Sequence, residues 1–212
     1  MAKVELQFGK NPVLRRLAQG IIVEQLQEIG VMQRELRQPP AASVSFIDTA
    51  SNSVKYVTYV GRSPHEAFFT PDGKEVWVSV RGENYIAILD GQTYREKSRI
   101  EVPNGPGMTI FSPDGKYGYV CSSFSPETVV IATATKQIVG RVKQESPFCP
   151  DIAATPDGKQ VWFTLKDIGK VMVFNALPPF EVIKVLDTGP ITNHVICTHC
   201  GGPVRLCNGW WT

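Results

Sequence analysis

The tetrapeptide Pro71-Asp72-Gly73-Lys74 occurs again as Pro113-Asp114-Gly115-Lys116 and as Pro156-Asp157-Gly158-Lys159. Successive copies start 42 and 43 residues apart. Each copy suits a hairpin turn, because proline presets φ, aspartate can bond its own backbone and glycine accepts a positive φ. The sequence therefore predicts three similar units, each with a hairpin turn at the same place.

Four short runs rich in β-branched and aromatic residues accompany each turn, as expected of β-strands. They cover 67–70, 76–79, 85–90 and 99–102 in the first unit, 109–112, 118–121, 129–132 and 138–142 in the second, and 152–155, 161–164, 171–175 and 182–185 in the third. An aromatic residue fills the same slot of the second run each time, as Trp77, Tyr119 and Trp162. Four strands in a repeat of about 40–45 residues are typical of a β-propeller blade.

The repeat pattern extends beyond the three complete units. Residues 44–48 and 54–60 fit a third and a fourth strand, and residues 189–195 match the opening of another blade. The fold class predicted is mainly β, a partial propeller of about three and a half blades over 44–195. An incomplete ring leaves strand edges open, so self-association through those edges is expected.

The first part of the chain has a different periodicity. Asn11 suits a helix N-cap and Pro12 the first helical position, and apolar residues then recur at three- and four-residue steps from Leu14 to Leu36. Pro39-Pro40 ends this pattern. We expect an α-helical hairpin over 1–38 and a linker over 39–43.

The repeats resemble a known family. Gly61-x-Ser63-Pro64-His65, the PDGK turn, an aromatic-Val-x-Ser/Thr strand and an Ile-x-x-Leu-Asp strand are similar to the YVTN-type β-propeller repeat over about residues 43–195. The resemblance implies a blade from a ring of usually about seven, with a shape related to quinoprotein amine dehydrogenases. It also implies a periplasmic or extracellular location, and it brings no catalytic residues.

The N-terminal stretch resembles a second family. Met1-Ala2-Lys3-Val4-Glu5 and the pattern from Pro12 to Met32 are similar to the second half of an exported, His- and Met-rich, ferritin-like four-helix family. Some of its members are linked to copper handling. The family's His-His motif would precede Met1, which leaves Met32 as a soft ligand. A methionine at helical spacing is more typical of a core.

The final residues, 196–212, depart from the repeat, because no PDG turn follows residue 195. One interpretation is a zinc site formed by Cys197, Cys200 and Cys207 with His194 or His199, although a second spaced ligand pair is missing. A redox Cys-x-x-Cys would need a βαβ context. Another interpretation is an out-of-frame end on a truncated propeller, since a shifted frame can encode Ala-Tyr-Val-Thr where a second strand is expected.

Three residues are candidate ligand contacts. His65 is expected at the start of an innermost strand, at the mouth of the propeller channel. Glu66 and Asp151 occupy equivalent turns and are expected to be solvated. Cys121 and Cys149 fall in strand and loop positions, where the sequence alone does not decide whether they form a bridge.

Bulk composition narrows the function classes. Hydrophobic residues make up 42% and charged residues 20% of the 212 residues, as in a globular protein. A net charge of +2 does not predict a nucleic-acid partner. No apolar run is long enough to span a bilayer, and no secretory signal is visible at Met1.

The sequence favours a non-catalytic binding or scaffold module that has an unknown protein or small ligand as its partner and needs no cofactor. The alternatives are a fragment of a quinoprotein-like dehydrogenase and a copper- or zinc-handling protein. No Ser-His-Asp order, paired carboxylates or phosphate loop supports catalysis.

Overall fold

The computed structural model describes residues 42–197, the backbone of 205–208 and Pro12. The described residues from Ala42 onward belong to one compact unit. The expected helical hairpin of 1–38, including Met32, lies outside the described residues apart from Pro12. Among the residues described, no helix has the length and apolar character needed to cross a membrane.

Three antiparallel sheets of four strands follow one another along the chain, and within each sheet the strands are neighbours in sequence order. Two other strands precede these sheets, so the blade strands are numbered from β3. Blade 1 comprises β3 (Pro64–Phe69), β4 (Glu75–Val80), β5 (Tyr85–Asp90) and β6 (Glu96–Glu101), and blade 2 comprises β7 (Pro106–Phe111), β8 (Tyr117–Ser122), β9 (Glu127–Ala132) and β10 (Gln137–Lys143). Blade 3 comprises β11 (Ile152–Ala154), β12 (Gln160–Leu165), β13 (Lys170–Asn175) and β14 (Val182–Asp187). The predicted partial β-propeller is confirmed.

A two-stranded sheet lies at each end of the described blades. The first pairs β1 (Ser43–Asp48) with β2 (Ser53–Tyr59). Its bulge between Phe46 and Ile47 recurs in blade 1 between Ile88 and Leu89, so β1 and β2 take the third and fourth positions of a blade, as predicted.

The other small sheet pairs β15 (Thr192–Ile196) with β16 (Arg205–Asn208). Its pairing of His194 with Cys207 matches the pairing of Glu66 with Ser79 in blade 1. β16 therefore takes the second position of a blade, in a stretch that lacks the PDG turn of the other repeats. Strand pairing needs only backbone donors and acceptors, so it tolerates the loss of the repeat's side-chain pattern.

The PDGK turns share one hydrogen-bond pattern. The Thr70 hydroxyl donates to Asp72 Oδ1 over 2.7 Å, and the Lys74 N–H donates to the same oxygen over 3.1 Å. These two bonds, together with the Lys74 ammonium 3.0 Å from Oδ2, lower the pKa of Asp72 to about 2. Gly73 has φ +69°, in the region that favours glycine. The same bonds recur from Ser112 and Lys116 to Asp114 and from Thr155 and Lys159 to Asp157.

The hydrophobic core lies between blades. Trp77 of blade 1 is fully buried and packs edge-on against Phe111 of blade 2, with ring centroids 5.1 Å apart. Tyr119 of blade 2 donates its hydroxyl to the carbonyl of Ala176, which follows β13, over 2.7 Å. The repeated aromatic slot thus joins blade 1 to blade 2 and blade 2 to blade 3. The central strands of blades 1 and 2 are buried.

Candidate functional site

The candidate residues gather on the face of the propeller where the inner strands β3, β7, β11 and β15 begin and the second strands β4, β8 and β12 end. We call this the upper face. Inner strand β7 packs against β3 and β11, and β11 packs against β15. The equivalent positions Glu66, Met108, Asp151 and His194 therefore follow one another around the upper face.

Asp151 is buried, with 8% of its surface exposed. Its Oδ1 accepts a hydrogen bond from the backbone N–H of Ile152 and its Oδ2 from that of Val195, both over 2.9 Å. Burial raises the pKa of the Asp151 carboxyl, although these N–H groups and His194 oppose the shift. The expectation that Asp151 is solvated is wrong, because inner strand β15 lies against the loop that carries it.

His194 pairs with this carboxylate. Its Nδ1 lies 3.3 Å from Asp151 Oδ2, while 58% of the His194 side chain is exposed. Asp151 thus holds the imidazole through Nδ1, and the rest of the ring stays accessible at the upper face. Such an imidazole can accept or donate a hydrogen bond to a ligand.

The sequence identified both residues without pairing them. Asp151 and His194 are 43 residues apart, which is one repeat. That spacing shows that they share a position in successive blades. It does not show that the two inner strands bring the side chains within hydrogen-bonding distance.

A polar side chain on each second strand binds the neighbouring inner strand. The Ser79 hydroxyl lies 2.8 Å from that of Thr109, and the Thr164 hydroxyl donates to the Asn193 carbonyl over 2.9 Å. In blade 2 the Cys121 thiol takes this place and donates to the Cys149 carbonyl over 3.4 Å. Cys121 and Cys149 are free, buried thiols, and burial raises the pKa of Cys149. These groups hold blades together rather than face a ligand.

The other predicted ligand contacts are also on the upper face. His65 is exposed on inner strand β3, and Glu66 beside it is half-buried. Among the described hydrogen bonds and ion pairs, none joins His65 or Glu66 to Asp151 or His194. The structure therefore pairs Asp151 with His194 and leaves the two blade 1 residues apart from them.

The zinc interpretation stays a prediction. Cys197 is a free, partly exposed thiol whose pKa burial raises. His199 and Cys200 lie outside the described residues, and for Cys207 only the backbone of β16 is described. Within residues 42–197, no three His, Cys, Asp or Glu side chains converge on a metal-sized site.

Comparisons with known proteins support the fold. No protein-family model matches the chain. Protein NirF of Stutzerimonas stutzeri is 22% identical over 118 residues, covering 55% of this chain and 30% of NirF. Hydrazine synthase of Kuenenia stuttgartiensis superposes with a TM-score of 0.67 at 23% identity, covering 74% of this chain and 46% of that one. A 6-phosphogluconolactonase-like protein of Bacteroides uniformis gives 0.67 at 18% identity, covering 78% and 57%.

The chain thus spans roughly a third to somewhat over half of the proteins it resembles. Identities this low show the fold and leave function open. The likenesses agree with the sheet topology in assigning a β-propeller-like fold, within which the YVTN-type assignment stays a prediction.

Proposed function

We propose that this chain is a non-catalytic β-propeller module that binds a small ligand or a protein partner on its upper face. The observation that carries the proposal is the Asp151–His194 pair, in which a buried carboxylate holds a largely exposed imidazole. Both Asp151 oxygens already accept backbone N–H bonds, and the nearby Thr164 hydroxyl is bonded to Asn193. The surrounding groups therefore suit positioning better than proton transfer.

A fragment screen by protein-observed NMR tests this proposal. The probes are small aromatic acids and amines, applied to the wild-type chain, His194→Ala and His65→Ala. We expect fragment-induced shifts to cluster on the upper face, to weaken in His194→Ala and to persist in His65→Ala. The proposal would be overturned if the shifts fell on residues outside the upper face, or if they were the same in His194→Ala as in the wild type. Reduction of an artificial electron acceptor with primary amines would favour the dehydrogenase alternative instead.

We also propose that copies of the chain associate through their open strand edges. Among the described strands, β1 pairs only with β2 and β16 only with β15. The first pair occupies the third and fourth blade positions and the second pair occupies the first and second. Pairing β16 of one copy with β1 of another would complete a blade. Joined in this way at both edges, the described blades of two copies would number about eight, within the usual range for propellers.

Exposed apolar side chains on the first sheet support this association, with Ile47 61% and Tyr59 70% exposed. Light scattering after size exclusion should give twice the 23.4 kDa chain mass. Ile47→Lys on β1 should shift the protein towards the single-chain mass. Ile183→Lys is the matched control, because Ile183 is also exposed but lies on β14 in a complete blade. A wild-type chain that stays at the single-chain mass contradicts the proposal.

The YVTN-type resemblance supports an exported protein, and we propose a periplasmic or extracellular location on that basis. Fractionation of cells expressing the gene in its native context, followed by immunodetection, tests this location. Recovery of the protein only with cytoplasmic markers would count against it.

A further inference from the structure

Arg81 lies on the upper face, directly after β4, and is half-buried. Its backbone N–H donates to the Ser63 carbonyl over 3.1 Å. Its guanidinium carbon lies 5.3 Å from the ring centroid of Phe124 and 5.8 Å from that of Phe148. The Phe124 ring comes from the β8–β9 loop of blade 2, and the Phe148 ring from the β10–β11 loop that connects blades 2 and 3. Arg81 of blade 1 thus lies against both loops.

The guanidinium of Arg81 has no hydrogen-bond acceptor among the described residues. Arg81 Nε is buried without a hydrogen-bond partner, and within the described part of the chain no side-chain hydrogen bond or ion pair involves Arg81. The nearest carboxylate in sequence, Glu83, is engaged by Arg62 over 2.8 Å. Arg81 is therefore a positive charge with aromatic neighbours and no counter-charge among the described residues. Native structures rarely leave such a donor unpaired.

Stacking cannot replace the missing acceptors. Aromatic rings attract a guanidinium through its charge, but its five N–H bonds point outward in its own plane. A carboxylate or phosphate meets that planar edge with two parallel hydrogen bonds. An oxyanion bound at the edge of the guanidinium would therefore supply the acceptors that Arg81 lacks among the described residues.

Ser123, the residue before Phe124, carries a second donor without an acceptor among the described residues. Ser123 is 6% exposed, and its hydroxyl has no hydrogen bond to another described residue. A Cβ at Gly107 would lie 2.9 Å from Ser123 Oγ, so the glycine keeps space open next to the hydroxyl. The Ser123 hydroxyl can supply a further hydrogen bond to an anion on the upper face.

We propose that Arg81 binds the oxyanion group of a small ligand, either a carboxylate or a phosphate, and that Ser123, next to Phe124 in the chain, contributes its hydroxyl. This inference rests on the proposed ligand binding at the upper face and specifies the charge of the ligand. Phe124 and Phe148 would keep the guanidinium in place before the ligand arrives, which reduces the ordering cost of binding.

The Arg81 Nε–Hε resonance gives a direct readout. The full chain is titrated separately with inorganic phosphate and with acetate, at ionic strength held constant with sodium chloride. We expect saturable shifts of this resonance, and the probe with the lower Kd identifies the preferred oxyanion. In Arg81→Gln the Kd measured from Ser123 and Phe124 backbone shifts should rise about tenfold or more, as for loss of a charged hydrogen bond. Arg81→Lys should weaken binding less than Arg81→Gln, because lysine keeps the positive charge. It should still bind more weakly than the wild type, because lysine lacks the two parallel N–H donors of arginine.

Arg99→Gln is the matched control. Arg99 also stacks on an aromatic ring, 4.3 Å from the Tyr85 centroid, but it is already paired with Glu96. Its removal should leave the Kd unchanged within about twofold. An Arg81 Nε resonance that follows neither probe, or an unchanged Kd in Arg81→Gln, overturns the inference.

The experiments distinguish the general proposal of ligand binding at the upper face from the anion site at Arg81. Aromatic amines that still bind in a His194-dependent manner while phosphate and acetate leave Arg81 unaffected would remove only the anion site. Loss of both responses would remove the binding function as well.

Discussion

The carboxylate of Asp151 accepts a hydrogen bond from the backbone N–H of Val195 over 2.9 Å. This bond ties the loop before inner strand β11 to the inner strand β15 of the next blade. It is shielded from solvent, since Val195 is 3% and Asp151 8% exposed. The same carboxylate orients His194. The Asp151 side chain therefore both links two neighbouring blades and positions the candidate site.

Asp151→Ala should lower the free energy of unfolding by about 1–3 kcal/mol, because it leaves the buried N–H of Val195 without an acceptor. It should also shift the His194 ring resonances, since Nδ1 loses its partner. Urea denaturation followed by tryptophan fluorescence measures the first effect and NMR the second. Asp187→Ala removes an exposed carboxylate from β14 and should change neither by a comparable amount. Equal effects of the two substitutions would contradict the assigned role of Asp151.

The turn aspartates should make the fold sensitive to acid. The pKa of Asp72 and of Asp114 is lowered to about 2 in the folded chain, chiefly by the hydroxyls of Thr70 and Ser112. The unfolded value is about 3.9. A pKa lowered by folding contributes stability above about pH 4 that is lost as the pH falls towards about 2.

Replacing Asp72, Asp114 and Asp157 together by Asn tests this dependence. An amide oxygen can still accept both turn hydrogen bonds, but it does not titrate. The urea midpoint of the variant should therefore fall less steeply than that of the wild type between about pH 4 and pH 2. Asp187→Asn serves as the control for removing an exposed carboxylate. Identical slopes in the triple variant and the wild type would show that the turns do not set the acid dependence.

Replacing Gly73 or Gly118 by alanine should destabilise the fold, but for different physical reasons. At Gly73 a Cβ would meet nothing within 4 Å, but φ is +69°, so Gly73→Ala should cost about 1 kcal/mol from backbone strain alone. At Gly118 a Cβ would lie 2.8 Å from Trp77 Cζ3, so Gly118→Ala should cost about 1–3 kcal/mol by overpacking.

A second substitution separates these causes. Trp77→Phe should partly relieve Gly118→Ala and leave Gly73→Ala unaffected, because only Gly118 contacts the indole. Free energies of unfolding for the wild type, the three single variants and the two double variants measure this. Full additivity at Gly118 would mean that the clash with Trp77 is not the cause of its cost.

The repeat made the fold predictable from sequence. A turn such as Pro113-Asp114-Gly115 depends on local hydrogen bonds, so its residue types identify it wherever it occurs. The strands around it follow from alternation and β-branched composition, and the shared bulge at Ile47 and Leu89 shows how far the register is preserved.

The candidate site could be predicted only in part. Residue type and position identified Asp151 and His194, but their contact depends on how two inner strands, one repeat apart, pack on each other. The burial of Asp151 depends on the same packing. Arg81 could not be singled out from the sequence, because only the structure shows that its guanidinium has no acceptor among the described residues.

Tyr119→Phe removes one hydroxyl and keeps the ring that packs against Phe174, 5.8 Å away between centroids. Because the hydroxyl donates to the buried carbonyl of Ala176 over 2.7 Å, we expect a loss of about 1–2 kcal/mol at neutral pH. Tyr117→Phe is the matched control, since its half-buried ring packs against Phe180 and its hydroxyl has no hydrogen bond among the described residues.

The effect of Tyr119→Phe should also shrink in alkali. Burial raises the pKa of Tyr119 above its usual value, so the unfolded chain ionises first, near pH 10. A pKa raised by folding contributes stability that is complete below that pH and is lost as the pH rises further. The wild type should therefore lose stability above about pH 10 faster than Tyr119→Phe, which has no phenol at this position. Urea midpoints measured from pH 7 to about pH 11 follow this convergence. A constant difference between the two proteins would show that the Tyr119 hydroxyl titrates as freely in the folded chain as in the unfolded one.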